Sequence, residues 1–225
     1  MHGLPTRQEP LPVEHSGRYE IQEVLASGGM GHVHRCYDRV GQRSVAYKRL
    51  RVDHKAARTH LITLFQREYD TLVRMTHPNI VEVYEYGFDG LGPYYTMELL
   101  PGADLTKLAP LAFRDGCRLL RDVASALALL HARKLVHRDL SPNNVRLTGG
   151  GRAKLIDFGT LTNVGVATDV AGTPAFIAPE CLTRNGIDQR TDLYGLGALA
   201  YWTFTGQPPV FARHIDDLRD AWQEP

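Results

Sequence analysis

No apolar run in this chain reaches the roughly 20 residues needed to cross a bilayer. The longest, Leu193 to Phe204, reads as a buried helix, so no membrane segment is expected within the chain. No charge of one sign dominates. Lys and Arg number 26 against 25 Asp and Glu, for a net charge of +1, so nothing in the balance argues for nucleic acid or a lipid surface as partner. Cysteine is scarce. Cys36, Cys117 and Cys181 are odd in number and far apart, which excludes a disulfide framework and a cysteine metal site and fits a reducing compartment. The histidines lack ligand spacing; His77, in His77-Pro78-Asn79, is a turn residue. The Met1 end lacks the basic-then-apolar pattern of a secretory signal, so a cytoplasmic location is expected. Internal repeats and low-complexity tracts are missing too.

What remains is an ordinary globular composition, 43% hydrophobic and 23% charged, over 225 residues. That length suits one large domain or two packed lobes and buries a core without staples. Residues 1–17 carry three prolines and no apolar periodicity, and read as a flexible tail. Strands are expected at Tyr19–Leu25, Val33–Tyr37, Ser44–Leu50, Ile80–Phe88 and Pro93–Leu99. A helix is expected over 58–75, where Leu61, Leu64, Phe65, Leu72 and Met75 recur at helical spacing. Pro101-Gly102 marks a hinge, after which helices dominate. Phe113–Ala132 is long and amphipathic. Thr191–Thr205 is apolar nearly all round and predicts a central buried helix. Between these two helices lies a polar, loop-rich stretch over 136–180, where function is expected to concentrate.

Six motifs carry the chemistry. Leu25-Ala26-Ser27-Gly28-Gly29-Met30-Gly31-His32-Val33 lies between two strands, where glycines let backbone N–H groups approach phosphates. Val45-Ala46-Tyr47-Lys48 lies on a strand, and Glu68 on the following helix. Alone, each is ordinary: a tight hairpin, an exposed lysine, a solvated glutamate. Val136-His137-Arg138-Asp139-Leu140-Ser141-Pro142-Asn143-Asn144 follows, then Asp157-Phe158-Gly159 after a strand at Ala153–Ile156. Last comes Gly172-Thr173-Pro174, running into Ala178-Pro179-Glu180.

In this order, from about Tyr19 to about Pro209, the set resembles the eukaryotic-like (Hanks-type) serine/threonine protein kinases, and the Gly28-Gly29-Met30-Gly31 variant looks most like bacterial members. The resemblance implies an α+β, two-lobed fold. Residues 18–98 would form an antiparallel-sheet N-lobe with one helix, and 99–225 a larger, mostly helical C-lobe. It implies ATP and Mg²⁺ as cofactors and Ser/Thr-bearing proteins as substrates; oligomeric state is left open. By resemblance, Asp139 orients the substrate hydroxyl and takes its proton, Lys48 paired with Glu68 steadies the α- and β-phosphates, and Asn144 and Asp157 are oxygen ligands of Mg²⁺. The nucleotide would lie among Leu25, Gly28, Gly29, Gly31, Val33 and Ala46 above, and Met97, Glu98 and Leu100 at the hinge. His137, Phe158, Leu72 and Val83 would stack between the lobes, and Asp192 would anchor the catalytic loop through backbone N–H groups.

The chain also departs from the family pattern. Ala26 replaces the first loop glycine. Ser141 replaces a lysine that contacts the γ-phosphate, and a hydroxyl cannot neutralise charge. Arg146 replaces an apolar residue under the adenine, where its stem would cover the ring. About sixteen residues follow Pro209, room for one further helix where the family has several, so an incomplete C-lobe and a Glu180 without its arginine are expected. Arg138 beside Asp139 implies a loop phosphate, with Thr168 or the carboxylate of Asp169 as the source of negative charge. Two rivals stand beside the kinase reading: a pseudokinase scaffold, favoured by Ser141, and a small-molecule phosphotransferase, opposed by the peptide-docking look of Gly172–Glu180.

Overall fold

The computed structural model describes residues 17–28, 31–51, 58–166, 170–183, 186–212, 214–215 and 217–218. Its first part is a five-stranded antiparallel sheet in the order β1-β2-β3-β5-β4, made of β1 (Tyr19–Gly28), β2 (Gly31–Asp38), β3 (Arg43–Leu50), β4 (Val83–Asp89) and β5 (Gly92–Glu98). Alternation along β3 divides the sheet's two faces. Val45 and Tyr47 join Tyr19 and Cys36 in a small outer core, closed by Tyr94 stacked on Tyr47 at 4.4 Å. Ala46 and Leu50 face the main core, and Lys48, in step with them, is carried to the same inner face.

Helix α1 (Arg58–Leu72) packs on that inner face through Phe65, Glu68 and Leu72, spaced three and four residues apart on one stripe. It ends three residues short of the expected boundary, although Met75 is still buried. The expected strand from Ile80 also starts late, at Val83. Ile80 and Val81 leave the sheet to pair with Leu155, the Val81 N–H reaching the Leu155 carbonyl at 2.9 Å. This connection ties the sheet to the helical part.

Beyond the sheet come α2 (Leu105–Leu108), α3 (Phe113–Ala132), β6 (Leu135–Val136), β7 (Val145–Leu147), β8 (Ala153–Leu155), β9 (Thr162–Asn163), β10 (Gly165–Val166), α4 (Glu180–Thr183), β11 (Gly186–Ile187) and α5 (Gln189–Thr205). Helix α3 has the boundaries expected of it and buries Leu119, Val123, Ala126, Leu127 and Leu130 at helical spacing. Helix α5 starts under Asp188, whose carboxylate accepts the Arg190 N–H. It is not buried all round. Asp192, Gly195, Leu199 and Thr203 form the inward stripe, while Leu193 and Tyr201, eight residues apart on another face, are 56% and 50% exposed. High apolar content hides a one-sided helix. The helix expected over 210–225 falls largely outside the described residues, of which Leu218 is buried against Ile177, Ala178, Cys181 and Ile187. Among the described residues no helix is long and apolar enough to cross a membrane.

Candidate active site

A cleft of about 650 Å³ opens between the sheet and the helical part. Its roof is Leu25, Gly28, Gly31, Val33 and Ala46; its rear edge is Met97, Glu98 and Leu100; Asp139, Asn144, Arg146 and Asp157 line it from below. The two roof glycines differ in what surrounds them. A Cβ on Gly28 would meet nothing within 4 Å, so this position borders open space, as a phosphate cradle needs. A Cβ on Gly31, at φ +148°, would lie 2.0 Å from the Arg49 carbonyl oxygen, so this glycine serves the approach of β2 to β3. Gly29 lies outside the described residues.

At the deep end Lys48 reaches across the lobes. Its Nζ donates to Glu68 Oε1 at 2.8 Å and to Asp157 Oδ1 at 3.2 Å. Glu68 does not line the cleft; it stands behind Lys48, buried, and its Oε1 also accepts the Tyr95 hydroxyl at 2.9 Å and the Phe158 N–H at 3.4 Å. Burial works against the Lys48 charge, but Asp157 and Glu68 outweigh it and hold the ammonium well above its ordinary value. Burial likewise opposes ionisation of Asp157, and Lys48 with the Gly159 N–H reverses this, holding the carboxyl below its ordinary value.

Asp139 sits at the other side of the same cleft. The Thr173 N–H and hydroxyl donate to its Oδ1 at 2.8 and 2.7 Å, and Asn144 Nδ2 donates to its Oδ2 at 2.8 Å. The loop carrying Asp139 hangs from Asp192, which accepts the N–H groups of His137 and Arg138 at 2.9–3.1 Å and meets His131 Nε2 at 2.8 Å. The His137 ring packs edge-on against Phe158 at 4.9 Å, and Phe158, Leu72 and Val83 share the main core. Gly172, at φ +124°, lets the following segment pass close to this loop: a Cβ there would lie 2.7 Å from the Arg138 carbonyl oxygen.

Three partners are not readable from the sequence. Tyr95 sits two residues from Met97 on β5, and only its alternation hints that it faces inward. Asp104, past the hinge, lines the cleft 3.7 Å from Arg146 and gives no local signal. Thr173 belongs to a kinase-like motif, yet its bond to Asp139 spans 34 residues. Glu180, expected to lack its arginine, accepts a hydrogen bond from the Thr191 hydroxyl to its Oε1 at 2.8 Å. The two polar groups meet because α4 packs beside the start of α5. Thr168 and Asp169 lie outside the described residues; Arg138, their expected partner, donates its Nε to the Thr160 carbonyl at 2.7 Å.

A cleft roofed by a glycine-bearing hairpin, with a strand lysine clamped to a helix glutamate and two aspartates lining it from below, defines a protein kinase site. Similarity to known proteins agrees. The protein kinase domain family matches residues 19–223, and the chain belongs to it. It is 39% identical to the DNA damage-responsive serine/threonine-protein kinase RqkA of Deinococcus radiodurans, covering 86% of this chain and 30% of that protein. It is 34% identical to the serine/threonine-protein kinase PknB of Mycolicibacterium smegmatis, over 88% of this chain and 34% of the relative. With PrkC of Bacillus subtilis the figures are 32%, 86% and 31%. The chain therefore spans about a third of the length of these relatives.

Proposed function

We propose that this chain transfers the γ-phosphoryl of ATP to serine and threonine hydroxyls of protein substrates, in the cytoplasm. The observation that carries the reading is the closed Lys48–Glu68 pair at 2.8 Å, reached by Asp157 and set in one cleft with Asp139. Phosphoryl transfer needs positioning and charge neutralisation above all. In this reading the substrate oxygen bonds to the γ-phosphorus, the bond from that phosphorus to the β–γ bridging oxygen breaks, ADP leaves, and the hydroxyl proton passes to Asp139. Thr173 and Asn144 orient the Asp139 carboxylate for that task. Lys48 holds the α- and β-phosphates, Gly28 gives them room, and Glu98 and Leu100 meet the base through their backbone.

Magnesium fits the residues present. Asp157 offers a carboxylate held ionised, and Asn144, with its amide nitrogen engaged by Asp139, offers its oxygen; both suit a hard divalent cation. When bound, the ion would neutralise phosphate charge. The cytoplasmic placement draws on the three free cysteines and on the need for ATP.

One observation favours a second reading, a nucleotide-binding scaffold. Ser141 brings no cation to the acceptor end, and the cations lining the cleft are Lys48 and Arg146 alone among the described residues. Incubation with labelled ATP, Mg²⁺ and a generic protein substrate decides between them. Phosphoserine or phosphothreonine that disappears in Asp139→Asn supports the kinase; nucleotide binding without transfer supports the scaffold.

A further inference from the structure

The outward face of α3 carries a feature that the proposed reaction does not use. Phe113, Arg114, Cys117, Arg118 and Arg121 border a shallow hollow of about 400 Å³ that shares no lining residue with the nucleotide cleft. The three arginines follow one another at steps of four and three, so they stand in one line along the helix. Carboxylates nearby leave most of that charge unmatched. Among the described residues Arg114 makes no ion pair. Arg118 meets Asp115 at 3.3 Å, but both side chains are more than half exposed, so the pair adds little. Arg121 meets Asp122 at 2.8 Å, yet Asp122 is buried and its Oδ2 accepts the Ala153 N–H at 3.1 Å.

The stability of the fold gives no reason for this arrangement. Arg114 stands in the first turn of α3, at the positive end of the helix dipole, where a cation costs stability and a carboxylate would add it. Phe113, the first residue of the helix, is 77% exposed. Its ring stacks on Phe204 at 5.8 Å, so it is held in position while most of its surface stays open. Cys117, one turn on, is exposed as well. An apolar line and a cationic line thus run side by side along the start of the helix. The complementary surface is a peptide segment with an apolar residue flanked by carboxylates: the arginines set the sign of its charge, and the Phe113 ring seats its anchor. Arginine and aromatic side chains are also the types that anchor protein–protein contacts. Nucleic acid and lipid surfaces draw on broad basic regions, whereas here three cations lie on one helix of a chain with net charge +1, which favours a short protein segment.

We propose that this face of α3 is a docking surface for an acidic segment of the protein substrate, in which an apolar residue seats on Phe113 and flanking glutamates or aspartates pair with Arg114, Arg118 and Arg121. The substrate role rests on the kinase reading above; the binding does not. Docking here raises the local concentration of the acceptor hydroxyl without touching the reacting atoms, so it acts on KM and not on kcat.

The test is fluorescence anisotropy of the whole chain with a labelled peptide, EEALEEFLEE, and with its counterpart carrying glutamine at every glutamate. Wild type should bind the acidic peptide about 10-fold more tightly than the glutamine peptide. The double variant Arg114→Glu/Arg118→Glu should weaken the acidic peptide by about 10-fold, since each reversal removes one attraction and adds one repulsion. Phe113→Ala should weaken it by about 5-fold through lost apolar contact. A generic protein substrate joined to the acidic peptide should show a matching rise in KM in the double variant at unchanged kcat, while the same substrate without the peptide shows none. Equal affinity for the two peptides, or an acidic peptide indifferent to the reversals, would overturn the proposal. So would tighter binding of phosphatidylserine vesicles or a single-stranded oligonucleotide at the same arginines, or a dimer of this chain that the reversals break apart, since each shows a different occupant. If Phe113→Ala fails to fold, the arginine reversals, made on exposed side chains, decide alone. Peptide binding as expected with no phosphorylation of any substrate would defeat the kinase reading while supporting the docking surface. Phosphorylation with a KM that ignores the attached peptide would do the opposite.

Discussion

Thr173 gives Asp139 two hydrogen bonds to a single carboxylate oxygen, from its backbone N–H at 2.8 Å and its hydroxyl at 2.7 Å. Half of the proposed catalytic carboxylate is therefore oriented by the segment expected to dock the substrate, leaving Oδ2 shared with Asn144. Asp139→Asn should lower kcat by ~10²–10⁴, the usual contribution of a general base. ATP affinity should change little, because Asp139 does not hold the nucleotide. Thr173→Val removes one of the two bonds to Oδ1 and should cost about 10-fold in kcat, since the backbone N–H remains. Steady-state kinetics with a protein substrate, alongside ATP titration, checks both. Near-wild-type turnover in Asp139→Asn would remove the assignment.

Lys48, Glu68 and Asp157 form one charge chain, so their variants should differ in kind. Lys48→Met should abolish transfer and leave Glu68 buried without its cation, costing ~3–5 kcal/mol of stability. Asp157→Ala should abolish transfer and also blunt the Mg²⁺ dependence of ATP binding, because a ligand oxygen is gone. Nucleotide titration with and without Mg²⁺, paired with thermal melts, separates the two. An undiminished Mg²⁺ effect in Asp157→Ala would count against its role.

Ser141 has no exposed surface, and its hydroxyl has no hydrogen-bond partner among the described residues. Ser141→Ala should therefore be neutral or stabilising by about 1 kcal/mol, because it removes an unmet buried polar group. Ser141→Lys should raise kcat, since a cation near the γ-phosphate in a dry site is worth a few kcal/mol of transition-state stabilisation. A fall in kcat with a lowered melting temperature would mean that the packing around position 141 has no room for the longer side chain.

The outer edge of the sheet predicts an acid limb of stability. Arg18 donates to both carboxylate oxygens of Asp38, at 2.8 and 3.0 Å, and holds this acid down to about 2. A depressed carboxyl contributes stability that is present above its unfolded value near ~3.9 and is lost as pH falls through the folded value. Urea midpoints should thus drop between about pH 4 and pH 2 in wild type and drop less steeply in Arg18→Ala. The exposure of Arg18, 37%, keeps the effect modest. Identical slopes would show that the pair is screened out.

Thr168 is the expected acceptor of a regulatory phosphate, from its place in the sequence between Asp157 and Glu180. Mass spectrometry after incubation with ATP should find it modified, and Thr168→Ala should lower activity. An unmodified Thr168 with full activity in both Thr168→Ala and Asp169→Ala would leave these as ordinary loop residues.

The motif set, the five strands and the boundaries of α3 are legible in the amino-acid sequence because they are written in local spacing, whereas the candidate lining of the cleft from Leu25 to Asp157 came from the resemblance that the motif set carries. Alternation carries Ala46 and Lys48 to one face of a strand, and steps of three and four carry Phe65, Glu68 and Leu72 to one face of a helix. The pairings come from the tertiary structure. Thr173 meets Asp139 across 34 residues, Tyr95 meets Glu68 across 27, and Thr191 supplies Glu180 with a partner that motif spacing does not reveal. Packing also sets which face of α5 stays exposed at Leu193 and Tyr201, and that Arg146 stands beside Asp104. The physical reason is that a buried polar side chain announces the need for a partner but not its identity. Which partner arrives depends on how the chain closes its loops, and that is settled by packing over the whole domain.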